Sequence, residues 1–176
     1  MDKKGLRKDV KSRIAVMSNV EKEQGSSGIC DSLEMLFRVC DASVVALFSP
    51  LPDEPQIRPL VDELSKKKVV VLPRVEGDVM NFYRYLPGTL SKGSYGIMEP
   101  VLGEAVKPSD IDLVVVPGVA FTADGYRMGR GKGYYDKYMS SDDFRAMRVG
   151  VCYSCQLVDE LPVDPHDVRM DKVIYK

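Results

Sequence analysis

The chain carries almost no net charge, a single histidine, few cysteines and no long apolar run, and each shortage closes off a class of function. A formal charge of −1 over 176 residues offers no global attraction to nucleic acid or to an anionic membrane, so any steering of a charged ligand has to be local. No apolar run approaches the length of a membrane span, and the start, Met1-Asp2-Lys3-Lys4-Gly5-Leu6-Arg7, lacks the apolar stretch of a signal peptide. A cytoplasmic location is expected. Cys30 and Cys40 stand too far apart for a zinc knuckle, and His166 has no second histidine to join it. Cys152 and Cys155 have redox-motif spacing, but no clear helix start follows them to lower a thiolate pKa, so ordinary buried or half-buried thiols are expected. Internal repeats, low-complexity tracts and signs of a second domain are also missing.

What is present is the composition of a soluble globular protein, 44% hydrophobic and 29% charged, long enough to bury a core without disulfides or a metal. Leu6, Val10, Ile14 and Met17 recur at helical spacing among lysines and arginines and predict an amphipathic first helix with a basic face. The polar run 21–27 reads as a break, after which Ile29, Leu33, Leu36, Phe37 and Cys40 predict a second helix capped by Ser26 or Ser27. Both helices are expected to cover a sheet. Strands are predicted at 43–48, 68–72, 80–85, 111–116, 148–152 and 173–175. Between the first two lies a helix with Ile57, Leu60, Val61 and Leu64 inward and Pro55 in its first turn. Strand, helix, strand with short connections argues for parallel pairing, the 80–85 strand being an antiparallel edge. The expectation over residues 1–176 is one α/β domain, three layers α/β/α around a mostly parallel central sheet. The Gly- and Pro-rich stretch 87–108 is long for a passive connection and is a candidate to fold over a ligand.

The most informative stretch follows the apolar segment 111–116. It runs Pro117-Gly118-Val119-Ala120-Phe121, then Asp124-Gly125-Tyr126-Arg127-Met128-Gly129-Arg130-Gly131-Lys132-Gly133-Tyr134-Tyr135-Asp136. Glycines at 129, 131 and 133 expose backbone N–H groups, and Arg127, Arg130 and Lys132 add cationic donors, a combination suited to phosphate. A helix starting near Gly133 would add its positive end. A Walker A loop is excluded by register, because Tyr126 and Gly133 stand where Gly and Ser or Thr are needed; a dinucleotide fingerprint is excluded by Tyr134.

These residues resemble the 5-formyltetrahydrofolate cyclo-ligase family, also called methenyltetrahydrofolate synthetases. Besides Pro117 to Asp136, the likeness includes Lys3 and Arg7, Glu54, Leu72-Pro73-Arg74, Gly96-Ile97-Met98-Glu99-Pro100, and Asp167 with Asp171. It implies ATP-dependent closure of 5-formyltetrahydrofolate to 5,10-methenyltetrahydrofolate, with ADP and phosphate released through an iminium phosphate. ATP contacts fall by this resemblance on Lys3, Arg7 and Arg127, Met128, Gly129, Arg130, Gly131, Lys132, Gly133, Tyr134 and Tyr135. Arg130, Lys132 and Tyr134 would act on the reacting groups. Magnesium would sit on Asp136 and Asp171, with Asp167 in support of either, and Asp136→Ala is expected to abolish turnover with the fold intact. The folate would meet Ser49, Glu54, Met80, Phe82, Tyr95 and Tyr134, although Met80 and Phe82 share one strand face and core packing explains them equally well. A monomer acting on a small molecule, without nucleic acid or membrane, is implied; a folate- or nucleotide-binding protein without turnover is the alternative.

Overall fold

A computed structural model describes residues 2–176. Helix α1 (Lys3–Ala15) starts at Asp2, whose carboxylate accepts from the Gly5 N–H at 2.7 Å, and buries Leu6, Val10 and Ile14. Helix α2 (Asn19–Val39) is uninterrupted, so the expected break over 21–27 does not exist. Ser18 and Glu21, three apart, form a reciprocal capping box that sets the helix cap eight residues before Ser26. The small residues read as a break are instead close-packing positions. A Cβ on Gly25 would lie 2.9 Å from the Tyr153 ring, and the buried Ser26 hydroxyl is 3.1 Å from that of Tyr153. Helix α3 (Arg58–Leu64) carries Pro59 in its first turn, leaving Pro55 outside it.

The central sheet uses β1 (Val44–Ala46), β2 (Val69–Glu76), β3 (Val79–Arg84), β6 (Ala105–Val106), β7 (Leu113–Val116), β10 (Met147–Cys152) and β11 (Lys172–Tyr175). Two antiparallel hairpins stand apart from it: β4 (Leu90–Lys92) with β5 (Met98–Pro100), and β8 (Ala120–Phe121) with β9 (Arg127–Met128). The sheet order is β11-β10-β7-β1-β2-β3-β6. Pairing is parallel from β11 to β2 and antiparallel at β2–β3 and β3–β6, so β6, not the 80–85 strand, forms that edge.

Alternation along the strands builds the three layers. Val45, Leu113, Val115, Val149 and Val151 face Ile29, Leu33 and Phe37 of α2 and Leu60, Val61 and Leu64 of α3. Ala46, Val114, Val116 and Cys152 face the other way, toward Phe121, Tyr138 and Met139. Tyr138 and Met139 belong to α4 (Tyr134–Met139), which at six residues is too short to stand without that burial. Helix α1 does not reach the sheet; it lies on Val119, Ala120 and Met128, over the β8–β9 hairpin. Among the described residues no helix is long and apolar enough to cross a membrane.

The topology also places the site. Strand β1 has β2 on one side and β7 on the other, all parallel, so the connections leaving β1 and β7 emerge from the same edge and diverge. A crevice opens at such a switch point, outside the carboxyl ends of the strands. One wall is the chain from Phe48 to Glu54, and the other is the glycine-rich stretch.

Candidate active site

The glycine loop is held from three directions. The Gln156 amide donates to the carbonyls of Gly118 and Val119 at 2.9 and 3.0 Å, and Val158 N–H donates to Phe121 O at 2.9 Å. From the first helix, Arg7 Nε donates to the Gly129 carbonyl at 2.9 Å. Gly131 (φ 104°) and Gly133 (φ 68°) sit in left-handed backbone that favours glycine, whereas Gly129 serves closeness: a Cβ there would lie 2.9 Å from Arg127 Nη1. The expected helix end is a weak dipole because α4 is short, although Gly133 makes no side-chain cap and leaves the first N–H groups free. Side-chain cations and backbone N–H groups are the donors this loop offers to an anion.

Two cavities meet at this loop. The first, about 500 Å³, is lined mostly by charged and polar residues and takes Lys3, Arg7, Met128, Gly131, Lys137 and Asp167 into its wall, with Ser140, Asp164 and His166 beside them. The second, about 270 Å³, is largely apolar, with Phe48, Pro73, Met80, Ile97 and Tyr135 around Ser49, Glu54 and Glu99. Arg127, Gly129, Lys132, Gly133 and Asp136 line both, so the loop is a shared wall rather than one floor. Two residues of the second cavity wall, Ser49 and Arg127, each carry a polar atom, Oγ and Nε, that is sealed from solvent and has no hydrogen-bond partner among the described residues. Such orphans are costly, so the wall stores some strain of this kind.

Arg127 is the buried cation of the shared wall, 8% exposed, its Nη2 2.7 Å from Asp136 Oδ2. The other oxygen of Asp136 accepts from Val168 N–H at 3.1 Å. Arg130 departs from its expected place among the phosphate contacts. It lines only the second cavity and pairs with Asp53 at 2.6 Å and Glu54 at 3.0 Å. Burial pushes the Glu54 carboxyl above its ordinary range, with Leu51 N–H and Arg130 pulling the other way. Met80 lines the second cavity, but Phe82 lines neither; fully buried, it backs the site edge-on to Tyr135 at 6.3 Å and Tyr138 at 4.9 Å. Tyr95, exposed and in left-handed backbone (φ 62°), closes the mouth, its hydroxyl 3.3 Å from that of Tyr134 and its ring 5.7 Å from Lys132 Nζ. Hydrogen bonding to Tyr95 pushes the Tyr134 phenol up to about 12. The stretch 87–108 thus supplies an ordered flap, carried on the β4–β5 hairpin.

Asp171 does not join Asp136. Its carboxylate is held by Arg148, with Oδ1 2.8 Å from Nη2 and Oδ2 2.8 Å from the backbone nitrogen, and it lines neither cavity. The acids that do line the first cavity with Asp136 are Asp164 and Asp167, and both hold the Lys3 ammonium, at 2.6 and 2.9 Å. His166 stands beside these two acids rather than alone, with ligand atoms of the three within 4.8 Å of one another. Asp53, Glu99, Lys137, Ser140, Asp164 and His166 were not singled out as site residues, because their approach depends on chain crossings that local spacing does not reveal. Only Glu99 had a local signal, in the Gly-Ile-Met-Glu-Pro run. The cysteines behave as expected except for exposed Cys40; burial pushes the Cys152 thiol up to about 12, far from a reactive thiolate.

A doubly wound sheet whose switch point joins a glycine-loop cavity rich in cations to an apolar one is an architecture suited to holding an anion beside an apolar organic group. The chain belongs to the 5-formyltetrahydrofolate cyclo-ligase family, whose model matches residues 1–176. It is 28% identical to the 5-formyltetrahydrofolate cyclo-ligase of Mus musculus over 99% of this chain and 93% of the relative. Among solved structures it resembles the 5,10-methenyltetrahydrofolate synthetase of Aquifex aeolicus, with a TM-score of 0.88 at 40% identity over 99% of this chain and 90% of that one. The Mycoplasma pneumoniae synthetase is similar too, at 0.80 and 29% over 99% and 98%.

Proposed function

We propose that this chain catalyses the ATP-dependent cyclisation of 5-formyltetrahydrofolate to 5,10-methenyltetrahydrofolate, with the triphosphate in the polar cavity and the folate in the apolar one. The observation that carries this division is the shared wall, which touches both chambers at once. The formyl oxygen attacks the γ-phosphorus, ADP leaves, and the formyl carbon becomes an N5-iminium phosphate. N10 then attacks that carbon and gives up its proton, and inorganic phosphate departs as the amidinium forms. The substrate supplies both nucleophiles, so the protein's work is positioning and charge stabilisation.

Lys132 lines both cavities and is the cation best placed for the transferring phosphoryl group; Arg7 and the N–H groups from Gly129 to Gly133 serve the rest of the triphosphate. Lys3 joins them once anionic phosphate competes with Asp164 and Asp167 for its ammonium. Tyr134 and Tyr135 bound the folate side, and Arg130 anchors Glu54 there. Asp136 and Asp167 suit magnesium, since both are carboxylates in the phosphate cavity: each Asp136 oxygen keeps a lone pair beyond its one bond, and Asp167, whose Oδ2 accepts from Lys3 and the Asp164 N–H, has Oδ1 free among the described residues. When bound, the ion would neutralise phosphate charge.

Purified protein given ATP, magnesium and 5-formyltetrahydrofolate is expected to form the methenyl product, followed by its near-ultraviolet absorbance, with one ADP per turnover. Folate bound while ATP stays uncleaved would instead favour a binding protein without turnover.

A further inference from the structure

An N–H donor that enters an apolar chamber leaves water behind and needs an acceptor there. Glu54 is the expected one, yet each of its oxygens already takes a protein donor: Oε2 accepts from Leu51 N–H at 2.9 Å, and Oε1 from Arg130. The same chamber holds a second carboxylate, Glu99 of β5, only 6% exposed. Its Oε1 accepts from Val75 N–H at 3.1 Å, while no donor among the described residues reaches Oε2, and that oxygen is not sealed off. The flap backbone is shaped around this group, because a Cβ on Gly93 would overlap Oε2. Gly93 has an ordinary negative φ of −92°, so room for the carboxylate, not backbone conformation, calls for glycine here.

We infer that Glu99 is a substrate-binding residue whose free oxygen accepts a hydrogen bond from an N–H of the folate, complementing Glu54 across the chamber. This rests on the folate reading of the second cavity. It gives a reason to keep an acid where a buried charge is unfavourable and where one backbone N–H could be satisfied more cheaply by a neutral acceptor. It also places a substrate contact on the β4–β5 flap, which the Val75–Glu99 bond already ties to β2 of the sheet.

The decisive variant is Glu99→Gln, which can keep the Val75 bond through its carbonyl oxygen but puts an NH₂ donor where the free acceptor stood. Affinity for 5-formyltetrahydrofolate is read by calorimetry without ATP, beside KM for each substrate and the melting temperature. The expected result is folate binding weakened about tenfold, the range for a lost bond to a charged group, with KM for ATP and melting temperature unchanged. Gly93→Ala, which displaces the carboxylate without removing it, is expected to weaken folate binding in the same sense. Parent-like folate affinity in Glu99→Gln overturns the inference and leaves Glu99 a strut for Val75; equal losses toward both substrates overturn it as well. A parent that binds no folate overturns both this and the cavity assignment, whereas an active parent with an indifferent Gln variant overturns this alone.

Discussion

At the scale of single residues, the shared wall is a place where structural and catalytic demands fall on the same atoms. Asp136 was read from sequence as a metal ligand removable without harm to the fold, but it neutralises Arg127, which is buried and already has one unpaired nitrogen. Asp136→Ala is therefore expected to lose turnover and about 3–5 kcal/mol of stability together, the scale for breaking a buried ion pair from one side. Denaturant unfolding of the variant checks this; parent-like stability would show that Arg127 finds another partner. Glu54 gives a second expectation, with a sign. Burial raises its native pKa, so the folded state holds its proton to higher pH than the unfolded chain. Its favourable contribution is complete below the ordinary carboxylate range and is lost as pH rises through the raised value. Glu54→Gln does not titrate, so its melting temperature relative to the parent should climb from acid toward neutral pH while its folate affinity falls; a pH-independent gap would contradict the assignment. The residue types at 54, 127, 132 and 136 were legible in the sequence, but their pairings were not. Arg130 to Glu54 spans 76 positions, and nothing local indicates that one neutralises the other.

Among the elements, periodicity was a good guide where a segment packs on one face, and a poor one where small polar residues pack closely. The parallel strands and the inward faces of α2 and α3 follow from the apolar pattern. The first part of α2 does not, because Gly25 and Ser26 look like a loop until Tyr153 is brought against them. Strand β10 makes the same point with a sharper consequence. Gly150 sits mid-strand, where glycine is usually a weakness, but a Cβ there would overlap the Phe121 ring that anchors the glycine-loop hairpin. Phe121 is fully buried and cannot swing outward. Gly150→Ala should thus be destabilised by about 1–3 kcal/mol through overpacking, despite alanine's better strand entropy. Thermal unfolding would show a lower melting temperature; a rise would mean that the ring has room to move.

For the whole molecule, the sheet order explains why residues from both ends of the chain converge. With β1 between β2 and β7, the Glu54 segment and the glycine loop face each other across the switch point, and α1 closes the polar side through Arg7. The three-layer class was legible because alternating helices and apolar strands leave few alternatives. The division into two chambers was not, since it depends on the β4–β5 flap and the 160s loop approaching the same wall from opposite sides. That division makes binding separable. A non-hydrolysable ATP analogue with magnesium at about a hundred times its Kd should stabilise the protein by about 2.7 kcal/mol, which for a chain of this size is a rise of about 5–10 °C in melting temperature. Arg7 lines only the polar cavity and touches the loop through a carbonyl. Arg7→Ala should reduce the shift produced by the ATP analogue and leave that produced by 5-formyltetrahydrofolate intact, and both follow from thermal unfolding of one variant with each ligand in turn. Equal loss of the two shifts would mean that the loop moves as one body and that the chambers are a single site; loss of neither would take α1 out of nucleotide binding altogether.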